Sequence, residues 1–196
     1  MHYFCKYVSP LGSMTIAANE ENKLIGLWFD DAKYFGSTLP KDETAELLQS
    51  NSKKTPCNSL VLSQPKYTNR KITVLEETKE WLDCYFKGGV PDFTPQIFPT
   101  GSPFRMTVFK ILQTVPYGRT MTYGEIAGLI SAQNNIKKMS AQAVGGAVGH
   151  NPIAIIIPCH RIIGADGNLT GYAGGTDRKL KLLMLEKAIV KYTADT

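Results

Sequence analysis

Hydrophobic and polar positions form three short β-rich runs within the first 30 residues. These runs are Tyr3–Ser9, Ser13–Asn19 and Lys23–Phe29, and they are separated by Pro10-Leu11-Gly12 and Glu20-Glu21-Asn22. β-Branched and aromatic runs bounded by Pro, Gly and Asn are typical of neighbouring strands joined by turns. The chain therefore predicts an antiparallel sheet in this region.

The pattern becomes helical further along the chain. Asp42–Gln49 predicts a short helix inside residues 36–70, which are otherwise polar and mixed. Ile72–Lys87 has apolar residues at helical spacing, and Gly88-Gly89 after it is a typical C-terminal stop. A supporting α/β domain at residues 1–95 would unite the sheet and these helices.

A proline-rich stretch follows, with prolines at positions 91, 95, 99 and 103. Proline fixes φ and removes a backbone donor, so we predict an extended connector, which we place at residues 96–103. This connector would separate the first domain from a second domain at residues 104–190.

The second half of the chain predicts mainly helices. They span Phe104–Thr114, Tyr123 to about Ile130, Ala141–Gly149 and Thr176–Ile189. Thr122 and Glu125 have the spacing of a capping box at the start of the second helix, and Ser140 can cap the third. Helix, short connector and helix is the outline of a helix-turn-helix. Together the two halves predict an α+β fold.

The third of these helices has almost no side-chain bulk. Ala143, Gly145 and Gly146 lie in it, and a glycine inside a helix costs about 1 kcal/mol relative to alanine. Two adjacent glycines therefore need a reason. One reason is close packing against another helix, and the other is a low-profile surface that lets DNA approach the backbone.

A cysteine is usually a small buried apolar residue, but the residues around Cys159 favour a reactive thiol as the alternative. Ile153–Ile157 is an apolar, β-branched run that predicts a buried strand, Pro158 ends this run, and His160 follows Cys159. The thiolate is the nucleophilic form of cysteine, and a neighbouring histidine can help to remove the thiol proton. Because adjacent residues on extended backbone point to opposite sides, the two side chains can interact directly or through a water.

The composition sets limits on this picture. The chain has 196 residues, of which 43% are hydrophobic and 20% charged, so it can bury a core. Residues 1–10 lack the basic and apolar order of a secretory signal, and no stretch reaches the roughly 18 apolar residues of a membrane span. Cys5, Cys57, Cys84 and Cys159 show no C-x-x-C pairing, so we expect free thiols, a cytoplasmic protein and no membrane partner.

Charge is distributed unevenly along the chain. Residues 1–103 contain 11 Lys and Arg against 12 Asp and Glu, whereas residues 104–196 contain 11 against five. The surplus behind the net charge of +5 therefore lies in the second half. A basic face there is typical of a domain that binds a polyanion such as DNA.

Ile157-Pro158-Cys159-His160-Arg161 is the centre of a series of motifs. Val144-Gly145-Gly146-Ala147 and Asn151-Pro152 precede it, and Gly171-Tyr172-Ala173-Gly174-Gly175 follows it. In composition and order these motifs resemble the active-site signature and flanking motifs of the O6-alkylguanine-DNA alkyltransferases. The resemblance covers roughly residues 104–187 and is weaker in the first half of the chain.

The resemblance implies a fold and a reaction. The fold is α+β, with a ribonuclease H-like N-terminal antiparallel sheet and helix, followed by a mainly helical, winged helix-turn-helix-like domain. The reaction is DNA repair by direct reversal, in which a suicide methyltransferase moves the alkyl group of O6-alkylguanine irreversibly to Cys159 without a cofactor. The partner would be double-stranded DNA that carries this lesion, bound by a monomer, and O4-alkylthymine stays open as a second substrate.

Catalytic roles follow from the same resemblance. Cys159 would be the alkyl acceptor, His160 would help to deprotonate it through a water, and Glu186 would orient His160. Asn151 would order the active-site turn, and Arg161 would satisfy buried carbonyls. Without the resemblance, Glu186 would be interpreted as a solvated carboxylate on the last helix.

The resemblance also implies a substrate-binding set, which consists of Tyr123, Ile162, Tyr172, Ala173 and Gly174. The backbone of Cys159 and Ile162 would accept from the guanine amino group, and the N–H of Ala173 would reach O6. Tyr123 would press on the target phosphate and contact the guanine, although a helix-start aromatic packed on the core is the alternative. An alkylated O6 lies inside the stacked duplex, so the base must be flipped out at a cost of a few kcal/mol.

The implied DNA-binding residues are Ser140, Gln142, Ala143, Gly145 and Gly146. The family usually has arginine at the position of Gln142, inserted where the flipped base left the stack. Glutamine is shorter and neutral, so it could still insert and form a hydrogen bond, but it cannot supply a cation to support base flipping. We hypothesise that Lys137-Lys138, in a connector that is longer than expected, restore phosphate affinity.

Some members of the family carry zinc in the first domain. This chain offers few thiol and histidine ligands there, among them Cys5, Cys57 and His2, and we predict no metal.

Two other functions are open to a chain of this composition. A DNA-binding module, like the alkyltransferase-like proteins, would bind lesions without repairing them, but such proteins lack the acceptor cysteine. A Cys–His hydrolase would turn over amide or ester substrates repeatedly, and it leaves the basic second half unexplained.

Overall fold

Three antiparallel strands form the sheet of the first unit in the computed structural model, which describes residues 2–52 and 73–188. The strands are β1 (His2–Ser9), β2 (Gly12–Asn19) and β3 (Leu24–Phe29), in the order β1-β2-β3. Ser9 pairs with Gly12 across the first turn, and Gly12 has a φ of 123°, which favours glycine. The predicted strands are confirmed.

Two helices accompany this sheet, as the sequence predicts. They are α1 (Lys41–Ser52) and α2 (Thr73–Phe86). α2 begins beside Asn22, whose side-chain oxygen accepts from the N–H of Val74 at 3.0 Å, and Gly88 follows its end with a φ of 82°. Its buried face consists of Val74, Thr78, Trp81, Leu82 and Tyr85. Ile72, which the sequence assigns to this helix, lies outside the described residues.

Part of the predicted connector at residues 96–103 belongs to the first unit. Ile97 forms a parallel bridge with Leu24. The N–H of Leu24 donates to the carbonyl of Gln96 at 2.8 Å, and the N–H of Phe98 donates to the carbonyl of Leu24 at 2.7 Å. The first residues of this segment are therefore hydrogen-bonded to the sheet and are not a free connector.

Pro152–Ala154 give a second correction to the predicted domains. They lie inside the predicted second domain at residues 104–190, but they belong to the first unit. The reason is that the N–H of Leu27 donates to the carbonyl of Pro152 at 2.9 Å, and the N–H of Ala154 donates to the carbonyl of Leu27 at 2.8 Å. The second unit therefore consists of Ser102–Asn151 and of the residues from Ile155 onward.

The second unit is mainly helical. Its elements are α3 (Pro103–Leu112), β4 (Met121–Thr122), α4 (Tyr123–Gln133), α5 (Ala141–Gly149), a 3-10 turn (Cys159–Arg161), β5 (Ile162–Ile163) and α6 (Thr176–Leu185). The predicted capping box of Thr122 and Glu125 is present at the start of α4, and Ser140 caps α5. The α+β class is confirmed. Within the described residues, no helix is long and apolar enough to cross a membrane.

The apolar run Ile153–Ile157 is buried at alternate positions, but the predicted strand is wrong. The chain turns within this run, and Ile155 has a φ of 70°. A β-branched residue rarely adopts this left-handed conformation, so the burial of Ile155 and Ile157 must offset the strain. As a result, Cys159 begins a 3-10 turn instead of following a strand.

α6 is shorter than the predicted helix Thr176–Ile189. It ends at Leu185, and Lys187 has a φ of 56°. The N–H groups of Lys187 and Ala188 donate to carbonyls of the last turn at 3.0 and 2.9 Å, which is the pattern of a Schellman motif. Glu186 therefore lies at the helix cap, where it is buried and not solvated.

Candidate active site

Four residues that the resemblance assigns to catalysis lie together in the second unit. Asn151 follows α5, Cys159 and His160 begin the 3-10 turn, and Glu186 caps α6. All four are buried. A thiol, an imidazole, an amide and a carboxylate from residues 151–160 and from the cap of α6 therefore meet in one polar cluster.

The side chain of Asn151 holds the sulfur of Cys159. Its Nδ2 donates to Sγ at 3.0 Å and to the carbonyl of Ile157 at 2.8 Å. Burial raises the pKa of the Cys159 thiol, whereas the Asn151 hydrogen bond, the charge of Lys179 and nearby backbone N–H groups lower it. Because a donor to sulfur favours the thiolate, these contacts offset part of the effect of burial.

His160 and Glu186 form a buried pair. Nε2 of His160 lies 2.7 Å from Oε1 of Glu186, and neither side chain is exposed. Burial lowers the pKa of His160, so the ring is neutral at pH 7 and able to accept a proton. Burial alone would raise the pKa of Glu186, but hydrogen bonds from His160 and Arg161 outweigh it and lower this pKa to about 2.

Arg161 fixes the carboxylate of Glu186 from a second side. Its Nη1 donates to the carbonyl of Val115 at 2.6 Å, and its Nε and Nη2 donate to the two oxygens of Glu186 at 2.8 and 3.0 Å. The N–H of Gly118 donates to the same carboxylate at 3.1 Å. The sequence predicted the carbonyl contact but missed the ion pair, because no spacing rule relates positions 161 and 186.

The carbonyl of Thr170 accepts from both Tyr123 and Lys179. The Tyr123 hydroxyl donates to this carbonyl at 2.8 Å, and Nζ of Lys179 donates to the same oxygen at 2.8 Å and lies 3.5 Å from the hydroxyl. Gly171 has a φ of 84°, and a Cβ there would lie 2.6 Å from the Tyr123 hydroxyl. Only glycine therefore fits beside this tyrosine.

Lys179 is a residue of this site that the sequence reasoning missed. It is fully buried, and it shares the buried face of α6 with Leu182 and Leu183. Burial lowers its pKa to about 8, while the charge of Cys159 acts in the opposite direction. The sequence contains one indication of this burial. Lys179 lies at helical spacing from Leu182, Leu183 and Glu186, which places it on the apolar face of the helix.

The other residues of the implied substrate-binding set have different environments. Ile162 is buried in β5, and its N–H donates to the carbonyl of Cys159. Ala173 is half-buried and Gly174 is buried. Among the described residues, the buried hydroxyl of Tyr172 has no hydrogen-bond partner, and burial raises its pKa well above the usual value. Buried hydroxyls are normally paired, so this one is an exception within the site.

The residues implied in DNA binding lie at the start and along one side of α5. Ser140, Gln142, Ala143 and Gly146 are exposed, and Gly145 is half-buried. A Cβ on Gly145 would contact the ring of Tyr123 at 3.8 Å, whereas a Cβ on Gly146 would meet nothing within 4 Å. Packing against another helix therefore gives no reason for glycine at position 146.

Two family models match the chain over most of its length. Residues 2–97 match the ribonuclease-like domain of 6-O-methylguanine DNA methyltransferase, and residues 103–188 match the DNA binding domain of the same family.

A curated relative is the methylated-DNA–protein-cysteine methyltransferase of Mycolicibacterium paratuberculosis. It is 53% identical over 108 residues, which are 55% of this chain and 62% of that protein. The aligned part of the chain thus spans less than two thirds of this relative.

Solved structures match over a longer range. The O6-methylguanine methyltransferase of Mycobacterium tuberculosis has a TM-score of 0.69 at 34% identity, and the match covers 100% of this chain and 97% of that chain. The structure of Mycobacterium tuberculosis OGT in complex with DNA has a TM-score of 0.66 at 35% identity, with coverage of 94% and 92%.

The fold and the site define a two-domain protein of the ribonuclease-like and DNA-binding type, with a buried cysteine beside a His–Glu pair. The chain belongs to the 6-O-methylguanine DNA methyltransferase family.

Proposed function

We propose that this protein repairs DNA by direct reversal, as a methylated-DNA–protein-cysteine S-methyltransferase that moves the alkyl group of O6-alkylguanine to Cys159. The observation that carries the proposal is the buried cluster in which Asn151 donates to Sγ of Cys159 at 3.0 Å while Glu186 lies 2.7 Å from His160. This cluster provides an acceptor sulfur, a donor that stabilises its thiolate and a neutral base with its orienting carboxylate.

The proposed transfer balances without a cofactor. His160, acting through a water, takes the proton of the Cys159 thiol, and the anionic Glu186 stabilises the imidazolium that forms. The thiolate attacks the alkyl carbon, so that the S–C bond forms as the C–O6 bond breaks. The electron pair of the broken bond goes to the guanine, which then takes up one proton to become the unmodified base.

One turnover per molecule follows from the product. The alkylated Cys159 is a thioether, from which a thiolate leaves poorly. Cys159 is the one cysteine in the sequence from residue 102 to 196, so this half of the chain provides no second thiol to regenerate it. The protein would therefore be consumed in the reaction.

The substrate would be held by backbone groups and two tyrosines. We propose that the carbonyls of Cys159 and Ile162 accept from the guanine amino group and that the N–H of Ala173 donates to O6. Tyr123, Tyr172 and Gly174 would contact the target nucleotide. The buried hydroxyl of Tyr172, for which the described residues supply no hydrogen-bond partner, supports a polar ligand at this place.

The DNA contact would be made by the exposed side of α5. Ser140, Gln142, Ala143, Gly145 and Gly146 form its low-profile part. A helix with little side-chain bulk can come close to the minor groove, and a side chain such as Gln142 can fill the gap that a flipped base leaves. The surplus of six positive charges in residues 104–196 supports binding of a polyanion.

The proposed partner is double-stranded DNA that carries O6-alkylguanine, and O4-alkylthymine is a second candidate substrate. We further propose that the protein acts as a monomer in the cytoplasm. A single site that is consumed once requires no second subunit for the chemistry.

A stoichiometry measurement tests the proposal against its alternatives. The full chain is mixed with increasing excess of a duplex that contains one O6-methylguanine, and the amount of repaired guanine is measured. The proposal predicts a plateau at one guanine per protein molecule. Lesion binding without repaired guanine would indicate a binding module, and product that keeps accumulating beyond one equivalent would indicate a true turnover enzyme.

A further inference from the structure

Lys179 is a lysine whose side chain has no exposed surface. Its Nζ donates to the carbonyl of Thr170 at 2.8 Å, lies 3.5 Å from the hydroxyl of Tyr123, and lies 5.7 Å from the centre of the Tyr123 ring. A buried ammonium loses its hydration, which costs several kcal/mol unless a partner compensates. This lysine therefore needs an explanation that a surface lysine does not.

The partners of Lys179 include no carboxylate. Within residues 2–52 and 73–188, Lys179 forms no ion pair with Asp or Glu. Burial is the main influence on the pKa of both groups, lowering that of Lys179 and raising that of Cys159, and the charge of each side chain acts against this effect in the other. A neutral carbonyl, an aromatic ring and the acceptor sulfur are thus the electrostatic environment of Lys179.

We propose that Lys179 is a positioning residue for alkyl transfer, whose buried ammonium favours the thiolate of Cys159 and fixes Tyr123 through the carbonyl of Thr170 that both side chains contact. This inference deepens the proposed function and rests on it.

The two ends of α6 would then serve the two residues of the reactive turn. Lys179 and Glu186 are seven residues apart, which places them about two helical turns apart on one side. Lys179 acts on Cys159, and Glu186 binds the adjacent His160. One helix would therefore hold the thiolate with a cation and the imidazole with an anion.

The titration of Cys159 and Lys179 can be observed separately from that of the neighbouring groups. The titratable groups that face Cys159 or Lys179 are Tyr123, Tyr172 and His160. Burial raises the pKa of Tyr123 to about 12 and that of Tyr172 well above its usual value, and it lowers the pKa of His160. Between pH 7 and 10 these three groups stay neutral, so proton loss belongs to the Cys159–Lys179 pair.

The experiment compares Lys179→Met with Lys181→Met, an exposed lysine on the same helix. Iodoacetamide alkylates Cys159 as the thiolate displaces iodide, and peptide mass spectrometry measures the rate at Cys159 from pH 7 to 10. We expect Lys179→Met to move the midpoint of this profile up by about one pH unit, which is about tenfold slower alkylation at pH 7. The profile of Lys181→Met should have the same midpoint as that of the parent protein. Lys179→Arg keeps the positive charge, so its midpoint should stay close to that of the parent protein.

The Tm of the variants shows whether Lys179 positions the reactive groups or instead stabilises the fold. Among the described residues, Lys179 has no carboxylate partner that its removal would leave buried and unpaired, and the Thr170 carbonyl keeps its hydrogen bond from Tyr123, so the Tm of Lys179→Met should change little. If Lys179→Met does not fold, Lys179→Gln, which also lacks the charge, takes its place. A charge-free variant that is folded and has the parent's pH profile would overturn the proposal.

Transfer from an O6-methylguanine duplex distinguishes this failure from failure of the proposed function. If the parent protein accepts the methyl group and the charge-free variant has an unchanged profile, only the role of Lys179 is wrong. If the parent protein accepts no methyl group, the proposed function is wrong, and with it the role of Lys179 in transfer, whatever the iodoacetamide profile shows.

Discussion

Oε1 of Glu186 lies 2.7 Å from Nε2 of His160, and both side chains are removed from solvent. The same carboxylate accepts two hydrogen bonds from Arg161 and one from the N–H of Gly118. Glu186 therefore connects the reactive turn to the cap of α6 and to the loop before α4. It should matter for both stability and chemistry.

The stability part of this role should depend on pH. The pKa of Glu186 is about 2 in the folded protein against an ordinary value of 4.5, so its contribution is complete above pH 4.5 and is lost as the pH falls towards 2. Glu186→Gln, which resembles the protonated form, should lower the free energy of unfolding by about 3 kcal/mol at pH 7. Urea unfolding at pH 7 and pH 3 should show that this difference shrinks at the lower pH.

The exposed Glu46→Gln is the control, and it should change stability by less than about 0.5 kcal/mol at either pH. Equal destabilisation by Glu186→Gln at pH 7 and pH 3 would show that the charge of Glu186 is not what stabilises the fold.

The contact between Asn151 and Cys159 predicts a reactivity effect. Asn151→Ala removes the donor to Sγ, so it should raise the pKa of Cys159 and slow its alkylation by iodoacetamide at pH 7 by about tenfold. DNA affinity should stay the same. Asn134→Ala is the control, because the Asn134 amide donates to the carbonyl of Ile130, away from the thiol. If both variants react at the parent's rate, Asn151 does not tune the sulfur.

The open position at Gly146 predicts opposite effects on stability and binding. A Cβ at Gly146 meets nothing within 4 Å, and the same is true of Gly128 in α4. Alanine at either position should therefore stabilise the protein by up to about 1 kcal/mol. Only Gly146→Ala should weaken DNA binding, because only this methyl group would lie between α5 and the duplex.

Thermal unfolding and a fluorescence-anisotropy titration of both variants measure these two quantities. Unchanged DNA affinity in a stabilised Gly146→Ala protein would exclude the low-profile surface as the DNA contact.

Lys137 and Lys138 test whether the connector before α5 touches phosphate. Both lysines are exposed beside a groove that α4 and the start of α5 also line. If each neutralises one phosphate, the double change to Gln should reduce the slope of log affinity against log salt by roughly 2. Lys110→Gln, an exposed lysine on α3, should leave the slope unchanged. A double variant with the parent's slope would rule out these contacts.

Local signals explain why most elements could be predicted from the sequence. The capping box at Thr122 predicts the start of α4, and the cap at Ser140 predicts the start of α5. The bounds of α5 are those predicted. Strand boundaries followed from turn residues between β1, β2 and β3. These features depend on a few neighbouring residues, so a single sequence contains them.

The remaining features depend on contacts between distant residues. Nothing in Ile153–Ile157 indicates that Ile155 would take a positive φ, because an apolar β-branched run is typical of a strand. The Arg161–Glu186 ion pair and the burial of Lys179 require α6 to pack beside the reactive turn. The motif around Cys159 indicated the chemistry, but the groups that set its electrostatics could be identified only in the folded structure.

The transfer of one alkyl group to one sulfur is measured most directly by intact mass. The full chain is incubated with a duplex that contains O6-methylguanine, and its mass is compared with that of Cys159→Ala treated in the same way. We predict the gain of one methyl group, located on Cys159 by peptide mapping, and no gain in Cys159→Ala. An unchanged mass after full exposure to the lesion, or a methyl group on another residue, would contradict the account.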